Sequence, residues 1–233
     1  MLDTQLILIE GMSGAGKSTT AERLAARLRE AGFEAASYHE FDRDNPIRTK
    51  ASDAMRDGYE KEGPLRFPGS DASGSNPYGS EQWAMLAEQL VAAPGRVVVL
   101  ESRYWQNALF SRFLNGWDVE RLESYRQRIS DYAAPARPTL IHLAYSDAKA
   151  VMERVYPQRT PEWQRWMERL FSDSAWCSKR GLEGREAVIA AYRAWDEIAE
   201  RLFHVHQPHR LRLLDPADDW PAAMLQLDRF LEI

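Results

Sequence analysis

A chain of 233 residues has the size of one large α/β unit, or of one core carrying a helical insertion. Its 44% hydrophobic and 11% aromatic content, with eight Trp, supplies a packed core and excludes a disordered or fibrous chain. Lys and Arg number 30 against 35 Asp and Glu, a formal charge of -5; no global field draws nucleic acid or an anionic membrane, and a polyanionic ligand must be held by a local cluster.

The run from Leu6 to Ile9 is continuous, apolar and rich in β-branched residues, as a strand buried on both faces of a parallel sheet requires. It is too short for a signal h-region or a membrane span. From Lys17 to Glu30 the apolar positions Ala21, Leu24, Ala25 and Leu28 recur at helical spacing, and Gly32 stands where a left-handed terminator belongs. Phe33 to Tyr38, Val97 to Leu100, Leu140 to Leu143 and Leu211 to Leu214 predict further strands. Helical patterns cover Ser80 to Ala92, Glu120 to Tyr132, Ala148 to Val155, Arg185 to Phe203 and Pro221 to Leu231. The alternation predicts a single α/β domain over residues 1–233, with a parallel five-stranded sheet between helical layers. Residues 62–80, rich in Pro and Gly and without periodicity, predict a long mobile loop. The lone Cys177 excludes an internal disulfide and fits a reducing, cytoplasmic setting.

Gly11-Met12-Ser13-Gly14-Ala15-Gly16-Lys17-Ser18 fits the Walker A pattern between a strand and a helix, the context that gives the pattern its meaning. Such a three-layer P-loop NTPase fold turns backbone N–H groups and a helix N-terminus onto phosphate. The expected nucleotide contacts are Gly11, Ser13, Gly14, Ala15, Gly16, Lys17, Ser18 and Thr19, with Lys17 on the β- and γ-phosphates and the Ser18 hydroxyl on Mg²⁺. ATP and Mg²⁺ are the expected cofactors. Glu101 closes the apolar strand Val97 to Leu100, at the edge where open α/β sheets bind ligands. A carboxylate there can orient the metal or take a proton from an attacking hydroxyl. Arg103, Tyr104 and Gln106 follow and offer a wall for a flat or phosphorylated acceptor.

The segment Leu6 to Leu28, above all Leu8-Ile9-Glu10-Gly11 running into Gly14-Ala15-Gly16-Lys17-Ser18-Thr19, resembles the opening of thymidylate kinases and their relatives. Glu101-Ser102-Arg103-Tyr104 resembles both the Asp-Arg-Tyr pattern of thymidylate kinases and the Glu-Arg-Ser pattern of deoxynucleoside kinases. Ser102 replaces the Asp of the first, and the arginine of the second is displaced by one. The resemblance implies that His39-Glu40-Phe41-Asp42-Arg43 faces the acceptor, making Glu40, Asp42 and Arg43 candidate contacts, although the family's Glu-Pro-Gly-Gly pattern is absent. It also implies an arginine-bearing helical lid, here near residues 154–165, with Arg154 and Arg159 foremost and Arg165 behind them. Pro157 and Pro161 interrupt that stretch and suggest a hinge. Pro216 and Ala217, in the loop after the fifth strand, are implied to pack on the adenine, while Asp218 or Asp219 followed by Pro221 also reads as a helix start.

Trp163, Trp166, Met167, Leu170 and Phe171 form an apolar stripe that reads as core. Trp176 to Arg180 could close an acceptor pocket or cap a loop. His204, His206 and His209 fit no zinc spacing and read as a solvated helix end. These readings converge on an ATP-dependent phosphotransferase acting on a small acceptor, whether nucleotide, nucleoside or other metabolite. The alternative is a nucleotide-dependent switch or assembly ATPase. Oligomeric state is left open, a homodimer included.

Overall fold

The sheet runs β2-β3-β1-β4-β5, all parallel, with β1 (Leu6–Gly11), β2 (Glu34–Tyr38), β3 (Arg96–Glu101), β4 (Thr139–Ala144) and β5 (His209–Leu214). The computed structural model describes residues 2–48, 80–205 and 209–233. The loop expected at 62–80 lies outside them except for Ser80, as does His206. Each predicted strand is present, extended by one or two residues or, at β2, shortened by one.

Strand alternation divides the core in two. On β1, Leu6 and Leu8 enter one core with Val98, Leu100 and Leu140, while Ile7 and Ile9 enter the other with Val97, Val99 and Ile141. The second core is closed by α1 (Lys17–Glu30) and α9 (Trp220–Leu231). The first is covered by α2 (Ser80–Val91), α4 (Val119–Ala133), α6 (Pro161–Ser172) and α8 (Gly184–Val205). The short helices α3 (Ser111–Leu114) and α7 (Ala175–Ser178) fill in beside them, and α5 (Ala148–Val155) follows β4. Each fully buried Leu or Ile of this three-layer sandwich contributes about 1.5–3 kcal/mol through apolar burial.

Topology places the site. From β1 the chain crosses to the edge strand β2 and returns to β3 beside β1, then passes to β4 on the other side, so the carboxyl ends of β1, β3 and β4 meet at a topological switch point. The Gly11–Lys17 loop, Glu101 and Tyr145 all leave the sheet there.

Candidate functional site

The loop after β1 departs from ordinary backbone at Gly14 (φ 83) and Gly16 (φ 85). A Cβ on Gly14 would lie 2.5 Å from a Val155 methyl, and one on Gly16 would lie 2.5 Å from the edge of the Trp220 indole. Two distant elements, the end of α5 and the start of α9, thus close onto the loop. Gly16→Ala should therefore lower stability by about 1–3 kcal/mol, through left-handed strain and displacement of Trp220, read as a lower denaturant midpoint.

Side chains of Asp118, Asp147, Thr160 and Asp219 cap α4, α5, α6 and α9. Helix α1 begins at Gly16 with no side-chain cap and no acidic residue in its first turn, which leaves its dipole and N–H groups for an anion. Within the loop, buried Lys17 donates through Nζ to the Met12 carbonyl at 2.9 Å, and Tyr145 OH donates to Ala15 O at 3.2 Å. Thr19 lies exposed in the first turn of α1.

Glu101, 2% exposed, is the hub of the polar centre. Its Oε1 accepts from Ser18 Oγ at 3.4 Å, from the Glu40 N–H at 3.4 Å and from His39 Nε2 at 3.0 Å, while Oε2 accepts from Ser102 Oγ at 2.7 Å. Because His39 Nδ1 accepts the Phe41 N–H, the ring hydrogen belongs on Nε2, facing Glu101. Burial, then repulsion from Glu101, holds the neighbouring Glu40 carboxyl above the usual carboxylate range, with Lys17, His39 and a hydrogen bond from Asn107 opposing. The carboxylate and hydroxyl oxygens of Glu101 and Ser18 are hard donors of the kind Mg²⁺ takes, set beside an uncapped helix start suited to phosphates.

A cavity opens beside this centre. Ser13, Glu40, Gln106, Asn107 and Ser111 give it polar groups, and Phe41, Phe110, Trp163, Trp166, Phe171 and Tyr192 give it aromatic walls. The helical stripe from Trp163 to Phe171 is therefore both core and wall. Among the described residues, no Lys or Arg lines it.

Other predicted site residues are placed differently. Tyr104 is no wall: it is 1% exposed in the core, its hydroxyl bonded to Ser130 and its ring edge-on to Trp83. The Arg103 guanidinium turns inward and donates to the carbonyls of Ile47 and Glu40, tying the segment after β2 to the end of β3. Asp42 accepts the His39 N–H at 2.7 Å and builds the turn, while exposed Arg43 does not line the cavity. Glu40 and Gln106 do line it.

Around the expected lid, Arg154 is exposed on α5 and its charge opposes the upward push that burial gives the Tyr145 phenol. Arg159 sits with its guanidinium 5.4 Å from the Trp163 ring centre, and its charge reaches the Tyr192 phenol at the cavity. Arg165 instead pairs with Glu162 at 3.2 Å on the surface of α6. The prolines do not kink a helix: Pro157 lies in a 3₁₀ turn at Tyr156–Gln158 and Pro161 opens α6 behind its Thr160 cap, positions that need no amide hydrogen.

Pro216 is buried and Ala217 exposed, in a loop bound to the end of β4 through Asp215 N to Ala144 O (2.9 Å) and Ser146 N to Asp215 Oδ1 (3.0 Å). Asp219 caps α9, and Trp220 carries the loop to Gly16. Arg180 stacks on Trp176 at 4.1 Å and bonds its carbonyl, so Trp176 to Arg180 caps a loop. His204 pairs with Glu200 on α8, and the described residues hold no cluster of three or more metal-ligating side chains.

One buried acid escaped the sequence reading. Glu10, fully buried at the end of β1, accepts the N–H groups of Tyr104 at 2.7 Å and Gln106 at 3.1 Å, and burial pushes its carboxyl up to about 7. A charged residue closing a strand buried on both faces is the signal that could have found it.

No protein-family model matches the chain, and no curated protein is similar to it in sequence. Solved structures are similar to it in fold. Thymidylate kinase from Ehrlichia chaffeensis superposes with a TM-score of 0.51 at 14% identity, covering 98% of both chains. Thymidylate kinase from Candida albicans gives a TM-score of 0.50 at 15% identity, covering 98% of this chain and 93% of its own. The fold is that of the thymidylate kinases. Against this thymidylate kinase-like frame the uncapped loop, Glu101 and the aromatic cavity occupy one continuous face at the carboxyl ends of β1 and β3. No described helix is long and apolar enough to cross a membrane.

Proposed function

We propose that the protein is an ATP-dependent kinase of a small molecule, and that the accepting group is a hydroxyl. The observation that carries this reading is the junction at Glu101. An uncapped P-loop helix meets, through Ser18 and Glu101, an aromatic cavity whose mouth holds a second carboxylate, Glu40. The loop amides from Ser13 to Thr19 and Lys17 hold the β- and γ-phosphates of ATP, and the loop at Pro216 and Ala217 borders the base. Ser18 and Glu101 would hold Mg²⁺, which when bound spreads the charge of the phosphates.

The two carboxylates divide the work. Glu101 faces Ser18 and the phosphate side, whereas Glu40 lines the cavity and its raised proton affinity strengthens it as a general base. The acceptor oxygen passes its proton to Glu40 and bonds to the γ-phosphorus as the bond from that phosphorus to the β-bridging oxygen breaks, releasing ADP. Arg154 and Arg159 would bear the migrating charge.

A phosphate acceptor asks for cations. Among the described residues none lines the cavity, and Arg103 is engaged with two backbone carbonyls. An acceptor with an apolar or aromatic body and a free hydroxyl suits the walls better. The test is a screen of nucleosides, nucleotides and hydroxylated metabolites with ATP and Mg²⁺, read by ADP release and mass gain on the acceptor. Hydroxyl compounds should gain one phosphoryl group. Turnover confined to monophosphates, abolished by Arg103→Ala and nearly intact in Glu101→Gln, would reverse the acceptor assignment. Nucleotide hydrolysis without any mass gain would favour the switch reading.

A further inference from the structure

The reading above leaves one buried acid unused. Glu10 is the penultimate residue of β1, beside the phosphate loop, and its two oxygens are spent on different donors: Oε1 takes the Tyr104 N–H and Oε2 the Gln106 N–H. The same strand takes the Ser102 N–H through the Ile9 carbonyl at 3.1 Å, and Asn107 N closes the turn onto Ser102 O at 3.0 Å. Ser102 is held left-handed at φ 62, a conformation that a non-glycine residue keeps only when its surroundings impose it. Leaving this turn, Gln106 and Asn107 line the cavity, and Asn107 bonds Glu40.

We infer that Glu10 is a positioning residue that fastens the acceptor wall at 102–107 to the strand carrying the phosphate loop, setting the two halves of the site in register. The labels donor side and acceptor side rest on the kinase reading; the clamp itself rests on the hydrogen bonds. Only a carboxylate presents two acceptors to two converging N–H groups. An amide in its place would aim an NH₂ group at one of them, and a protonated acid would aim its O–H or lose one bond.

Facing Glu10 are Lys17 from α1, the Tyr104 phenol, His142 from β4, Tyr145 beyond β4, and Tyr192 and Asp196 from α8, the last four around a small hollow behind the loop. Burial pushes His142 down to about 3 and the three phenols up, so none of these four changes charge between pH 6 and 8. Glu40 and Asp196, both held up by burial, share the upward direction of Glu10 and must be separated from it by mutation.

The experiment is amide hydrogen exchange on the intact protein, wild type and Glu10→Gln, at pH 6 and pH 8, each rate divided by its intrinsic chemical rate. Glu10→Gln should exchange residues 102–110 at least about tenfold faster at pH 8, the loss of one charge-assisted hydrogen bond, with β4, β5 and α9 changed less than about twofold. Wild type should show the same local loosening on going from pH 8 to pH 6, and Glu10→Gln should be flat. Binding of the Mg²⁺ complex of a non-hydrolysable ATP analogue, measured by calorimetry, should hold within about threefold, since the loop amides do not depend on the clamp. Unchanged exchange at 102–110, loosening spread evenly over the sheet, or a larger loss of analogue affinity overturns the inference. If Glu10→Gln does not fold, the same pH series in Glu40→Gln and in Asp196→Asn, each of which keeps Glu10, decides: loosening at 102–110 that persists in both supports the clamp, and loosening lost in either overturns it. A wild-type protein that binds no analogue sinks the kinase reading, while the exchange result stands or falls separately.

Discussion

Glu40→Gln should lower the rate of phosphoryl transfer by about 10²–10⁴-fold, the range of a lost general base, with little change in nucleotide affinity. The residue lines the cavity, accepts a hydrogen bond from Asn107 and lies across from Glu101, so an amide keeps the shape and removes the base. The pH profile carries the sharper test. Burial and the Glu101 charge raise the proton affinity of Glu40, so the working, ionised form is lost as pH falls through its raised value. Activity should therefore climb from acid toward neutral pH in the wild type, and that limb should disappear in Glu40→Gln. A variant retaining both its rate and its acid limb would remove Glu40 from the chemistry and leave Glu101 as the remaining carboxylate.

Lys17→Ala should reduce turnover by about 10²–10³-fold or more, as expected when a preorganised charge aimed at the transferring group is deleted. Lys17 is buried and its ammonium donates to the Met12 carbonyl, so the side chain also braces the loop it serves. Stability and affinity for the Mg²⁺–analogue complex, followed by thermal unfolding and calorimetry, separate these roles. A fall in turnover with the melting temperature retained to within a few degrees assigns Lys17 to the phosphates. A collapse of stability with turnover per folded molecule unchanged would make it a brace alone.

How far the site could be read from residue order depends on the range of the forces involved. The Gly11–Ser18 loop and its flanking strand and helix were legible because their signals are local: an apolar β-branched run, glycines at left-handed positions and helical spacing in α1. The turn Gln106–Phe110 was not. Its π-type bond from Phe110 N to Trp105 O at 2.8 Å is imposed by packing among α2, α4 and α8, which propensity does not see. Tyr104 and Gln106 were both expected on the wall. The left-handed Ser102 and the Glu10 clamp rotate the turn so that Tyr104 enters the core and Gln106 faces the cavity. The stripe from Trp163 to Phe171 has a periodicity that marks a buried face, and periodicity cannot tell a core from the lining of a cavity. Arg103 was expected on the acceptor wall, yet it turns inward because Ile47 and Glu40 place carbonyls within its reach, residues far from it along the chain.

Residue order alone determined the parallel α/β architecture and the phosphate loop, since backbone conformation and strand burial follow from neighbours within a few positions. Tertiary structure alone decided which carboxylate meets Ser18 and which lines the cavity, and where Arg103 spends its charge. It also placed an aromatic hollow beside the loop. Those outcomes depend on crossings between β1, β3 and the helices above them, where the energy of a side chain is set by partners that the chain brings near only on folding.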